Sequence, residues 1–110
     1  MDHDGLEHRI VLGFISAPAA EAEKLAEQMV KEKLVACAQI IAGMKSVYWW
    51  DGTVQTDDEV LIIIKTKALL QQEVADFISR EHSYEVPECV FSPASGGILK
   101  YLQWVGDVTK

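Results

Sequence analysis

The stretch Lys45-Ser46-Val47-Tyr48-Trp49-Trp50-Asp51-Gly52-Thr53-Val54-Gln55-Thr56 decides the fold. Its first half is aromatic and β-prone. Asp51-Gly52 suits a type I′ turn, in which both central residues need positive φ. The stretch therefore reads as a long hairpin. Beyond it, residues 59–66 continue as a strand whose centre, Val60-Leu61-Ile62-Ile63-Ile64, is too continuously apolar to have one wet face. That strand is expected to be central and covered. Before the hairpin, residues 35–41 are almost wholly apolar and Ala42-Gly43 interrupts them. Residues 35–50 thus form either two strands or one strand bent near Gly43.

Working outward, residues 9–15 read as a buried strand, and Ser16-Ala17-Pro18 ends it with a proline that suits the first turn of a helix. Ala22, Leu25, Ala26, Met29 and Val30 then recur at helical spacing on one face. A second helix is expected over residues 68–81, with Leu70, Val74, Phe77 and Ile78 on its stripe. A short strand over 88–92 follows, then Pro93, Gly96-Gly97 and a last short helix carrying Ile98, Tyr101, Leu102 and Val105. The order β-α-β-β-α-β is the split pattern of an α+β, ferredoxin-like sandwich. Right-handed crossovers and two helices on one face give the strand order 4-1-3-2. Cys37 and Cys89 then lie at opposite edges of the sheet, which excludes a disulfide between them.

The face without helices needs a cover, and the long hairpin overhangs any single domain. Copies of the same chain would supply both contacts, so oligomerisation is expected. Residues 1–8 are polar and charged and are expected to form a mobile tail ahead of one domain over 9–110.

Composition narrows the function classes. The 110 residues include ten basic and seventeen acidic side chains, and the net charge of −7 gives a phosphate backbone little to hold. Nucleic acid is not expected as a partner, nor is a membrane, because no apolar run is long enough to span one. The acidic N-terminus is unlike a secretory leader, which points to the cytoplasm. The sequence holds no nucleophile elbow, no His-Glu-x-x-His and no phosphate loop, so no enzyme is expected and no cofactor is required.

At Ser46-Val47-Tyr48-Trp49-Trp50-Asp51-Gly52 the sequence resembles the CutA1 divalent-cation tolerance family. Further agreement runs through Ala17-Pro18, Leu34-Val35-Ala36-Cys37-Ala38, Glu59-Val60, Ile64-Lys65-Thr66, His82-Ser83-Tyr84-Glu85-Val86-Pro87-Glu88 and Tyr101-Leu102-Gln103-Trp104. The resemblance implies a homotrimer whose sheets pack around a threefold axis and whose hairpins reach a neighbour. It also implies a non-enzymatic role in tolerance of divalent metal ions, with copper binding. Tyr48, Trp49, Trp50 and Trp104 are accordingly assigned to subunit contacts. Family members with a copper site use a cysteine at the end of the first strand and adjacent histidines before the Tyr-Glu segment. Those positions here hold Ile15, Glu81 and His82.

His82 with Glu81 and Glu85 is the best internal metal candidate, since imidazole and carboxylate suit copper or zinc. The competing assignment makes His82 a helix cap and Glu85 structural. In the tail, His3 stands third, where the α-amine, two backbone nitrogens and the imidazole offer Cu(II) four nitrogens in a plane. Cys37, in an apolar strand, is assigned to packing. The alternative function is a trimeric small-ligand sensor or adaptor, resembling PII-type signalling proteins, with ligand in clefts between subunits.

Overall fold

The computed structural model describes residues 9–110. The expected tail over residues 1–8, with His3, lies outside them. Strand β1 spans Ile10–Ala17 and helix α1 spans Ala19–Lys31. Pro18 stands between them as the extended N-cap, so the strand runs to Ala17, past the expected residue 15. The end of α1 is fixed by backbone. Leu34 N–H donates to Met29 O and Lys33 N–H to Val30 O, both at 3.0 Å, while Lys33 takes a φ of 60°. This is the Schellman closure, with lysine where glycine is usual.

Strand β2 is one continuous element, Cys37–Trp50, and β3 spans Thr53–Lys67. The interruption at Gly43 is a bulge. Register shifts between Ile41 and Met44, and Gly43 has a φ of 81°. Asp51 and Gly52 both have positive φ, 51° and 78°, as the type I′ turn requires. After β3 the expected helix over 68–81 begins as a 3₁₀ turn, Ala68–Leu70, and becomes helix α2 at Gln71–Glu81. Strand β4 is Val90–Pro93, later and shorter than residues 88–92, and α3 is Leu99–Asp107.

All pairings are antiparallel, and the sheet order is β2-β3-β1-β4. This matches the expected 4-1-3-2 read from the other edge. On one face Ile15, Ala17, Val60, Ile62 and Ile64 pack against Leu25 and Met29 of α1 and Val74, Phe77 and Ile78 of α2. Complete burial of each large side chain there contributes about 1.5–3 kcal/mol. Thr66 is buried too, and its hydroxyl is satisfied by donating to Leu34 O at 2.6 Å.

The opposite face carries Phe14, Ile41, Leu61, Ile63 and Val90, which the register places side by side. Ile41 and Val90 are exposed and the others half-buried. Of the helices among the described residues, α3 reaches toward this side, where Tyr101 Oη lies 3.3 Å from Cys37 Sγ. Cys37 is thus half-buried with a polar neighbour, and Cys89 packs against the core; both are free thiols.

Candidate functional site

The hairpin register sorts its side chains. Ser46 pairs with Asp57, Tyr48 with Gln55 and Trp50 with Thr53, whereas Trp49 pairs with Val54. Paired residues share a face and successive residues alternate. Tyr48, Trp50, Asp57 and Glu59 therefore lie on one side, continuous with Leu61, and Val47, Trp49 and Val54 lie on the other. The segment between α2 and β4 folds over the first side. There Tyr84 Oη donates to Glu59 Oε2 at 2.6 Å, and Tyr48 Oη donates to Asp57.

Tyr48, Trp50, Asp57, Glu59 and Tyr84 wall a cavity of about 740 Å³ together with Ser16, Ser46, Glu85, Val86 and Glu88, and Val47 and Trp49 of the hairpin also border it. Four carboxylates line it, from Asp57, Glu59, Glu85 and Glu88, and no Lys, Arg or His does. Glu59 is only 7% exposed. Among the described residues no cationic side chain pairs with it. Burial and the bond to Glu59 push the Tyr84 hydroxyl pKa up, and the bond to Asp57, more than burial, pushes Tyr48 up. Both tyrosines remain protonated donors at neutral pH.

His82 sits behind this cavity as the C-cap of α2. Its Nε2 lies 2.9 Å from Ser16 O, and Tyr84 N–H donates to its Nδ1 at 3.1 Å. Since a backbone N–H only donates, Nδ1 accepts and Nε2 carries the hydrogen. Both nitrogens are in use, and no lone pair is left for a metal ion. Glu81 instead bonds Arg80 Nε at 3.2 Å, while Glu85 lines the cavity. Among the described residues no three His, Cys, Asp or Glu side chains form a group that could hold a metal ion. One subunit, as folded, does not unite His82, Glu81 and Glu85 into a ligand set.

Of the aromatic residues assigned to contacts, Tyr48, Trp49, Trp50 and Trp104 are all exposed, Trp49 most of all at 71%. Tyr48, Trp49 and Trp50 also line the cavity, so the two assignments meet there. Sequence reasoning missed Asp57, Glu59 and Tyr84. The available signal was Glu59 itself, a charge at the head of the most apolar strand.

The family model described as CutA1 divalent ion tolerance protein matches residues 11–108. The chain belongs to the CutA1 family. It is 44% identical over 101 residues to a chloroplastic protein CutA 1 of Oryza sativa subsp. japonica, covering 91% of this chain and 57% of that one. It is 37% identical over 86 residues to the divalent-cation tolerance protein CutA of Salmonella newport, covering 78% and 75%. The chain spans little more than half the length of the plant relatives. The solved structure of CutA1 from Oryza sativa matches with a TM-score of 0.91 at 39% identity, covering 96% of this chain and 97% of that one. That of the divalent cation tolerance protein from Thermus thermophilus matches at 0.89 and 33%, covering 92% and 99%.

As a CutA1 member the chain has the family's compact α+β fold, an open four-stranded antiparallel sheet with three helices. The family is named for tolerance of divalent ions, not for a reaction. Among the described residues no helix is long and apolar enough to cross a membrane. Ile15, at the position where the family resemblance implies a cysteine ligand, is wholly buried in the core.

Proposed function

We propose that this chain serves divalent-cation tolerance as a non-enzymatic, cytosolic homotrimer of ferredoxin-like subunits, meeting copper or a similar ion at the carboxylate cavity once a neighbouring subunit adds the ligands that one subunit does not group there. The apolar face of Phe14, Ile41, Leu61 and Val90 supports the assembly, because a monomer would leave it in water. The cavity continues that face past Leu61, so a neighbour packing there would border it. The exposed Val47, Trp49 and Val54 give the hairpin an apolar surface for the same contact.

Glu59 carries the reading. Its side chain is nine-tenths buried and meets a tyrosine hydroxyl but, among the described residues, no cation, which leaves it suited to receive one. Of the ligands expected from sequence, Glu85 shares this cavity, whereas His82 has spent both nitrogens.

The test is a Cu(II) titration of the full chain beside His3→Ala, His82→Asn and Glu59→Gln, with subunit number fixed by light scattering. Three subunits are expected, with about one ion per subunit retained in His3→Ala and His82→Asn and lost in Glu59→Gln. Binding that follows His82 or His3 and ignores Glu59 overturns the assignment. The cavity volume also suits a small-ligand sensor, since ligand sites commonly fall in this size range.

A further inference from the structure

The four carboxylates of the cavity surround a space but do not converge. Asp57, Glu59, Glu85 and Glu88 all line it, yet no three of them group closely enough to hold one metal ion. A point charge therefore reaches only part of the negative lining. Glu59 presents a second, independent sign of a ligand. Its Oε2 accepts from Tyr84 at 2.6 Å, while its Oε1 has no hydrogen-bond partner among the described residues, although the residue is nine-tenths buried. Oε1 is not sealed in the core, since no fully buried side-chain atom lacks a partner. It belongs to the wall of the cavity.

The rest of that wall is aromatic. Tyr48, Trp50 and Tyr84 line the same space, with both tyrosine hydroxyls already committed to carboxylates. Ring faces attract ammonium groups and pack against methylenes, whereas they supply no ligand atom to a metal ion. The volume of about 740 Å³ exceeds what one ion fills and suits a molecule of several heavy atoms.

We infer that this cavity takes an extended organic dication, an aliphatic diamine whose two ammonium groups meet separate carboxylates while its methylenes lie against Tyr48, Trp50 and Tyr84. The inference rests on the reading of the cavity as a cation site and names a further class of cation for it. Glu59 Oε1 receives one ammonium, and Glu85 or Glu88 at the mouth receives the other.

The experiment is calorimetric titration of the full chain with putrescine, with butylamine as the single-charge control and Zn(II) as the metal control. Putrescine is expected to bind at least about tenfold more tightly than butylamine, since the second ammonium adds a charge-assisted hydrogen bond. Glu59→Gln is expected to weaken putrescine about tenfold, and Glu85→Gln, at an exposed position, gives a second variant if the first folds poorly. Putrescine binding no tighter than butylamine, or indifferent to both variants, overturns the inference. If Zn(II) binds in a Glu59-dependent way and putrescine does not, the diamine assignment falls and the metal reading stands. If neither binds, both fall.

Discussion

His82 Nε2 lies 2.9 Å from the carbonyl oxygen of Ser16, joining the end of α2 to the end of β1 across 66 residues of sequence. The same ring accepts the backbone N–H of Tyr84 and packs at a tilt of 54° against the Tyr84 ring, 4.7 Å between centroids. The histidine thereby sets where Tyr84 stands, and Tyr84 in turn holds Glu59. His82→Ala strands a buried carbonyl and a backbone N–H, and the expected cost is about 1–3 kcal/mol for each unsatisfied group. Urea unfolding of the variant measures it; an unchanged midpoint would show that the ring is dispensable.

Gly13 of β1 leaves no room for a methyl group. A Cβ there would stand 2.7 Å from Ile64 Cγ1 and 2.8 Å from its Cδ1, with Phe91 Cε1 at 3.1 Å. Ile64 is fully buried and has nowhere to move. Gly13→Ala is therefore expected to lower stability by about 1–3 kcal/mol, read as a drop in melting temperature.

Lys33 points the other way. Its φ of 60° at the end of α1 strains a side-chain-bearing residue by roughly 1–2 kcal/mol. Lys33→Gly relieves that strain and gives back part of it as unfolded-chain entropy, leaving an expected gain of about 0.5–1 kcal/mol. Thermal or urea unfolding decides, and a loss of stability would mean that the lysine side chain makes a contact worth more than the strain.

Cys89 should be a slow thiol. Burial, and secondarily the charge of Glu88, push its pKa from an ordinary 9.0 up to about 11. Because the folded value lies above the unfolded one, the fold disfavours the thiolate. This contribution to stability is fully present below about pH 9 and is lost as pH rises through about 11. Iodoacetamide labelling read by mass spectrometry is expected to show Cys89 reacting slowly near neutral pH, with a rate still climbing above pH 9. A rate that levels off near 9 would contradict this.

The order of elements was legible from the chain alone because the signals were local. Asp51-Gly52 marked the hairpin, Pro18 marked the passage from strand to helix, and the run from Val60 to Ile64 marked the central strand. Element ends were less legible. β1 ran on to Ala17 and α2 began with a 3₁₀ turn, since terminal turns answer to what they pack against.

The cavity was decided by tertiary structure. Tyr84 stands 25 residues from Glu59 and on a different element, and nothing local tells which carboxylate it will meet. The bulge at Gly43 and the register of β2 on β3 place Asp57 beside Tyr48, and the His82 bonds bring Tyr84 over Glu59. His82 shows the limit most sharply. Sequence supplied an imidazole between two glutamates, which is a metal ligand's chemistry, whereas the fold spent both of its nitrogens on the backbone. Residue type and spacing determine which elements form, because propensity and periodicity act over a few positions. Which polar groups remain free to act depends on contacts made across the whole chain, and only packing fixes those.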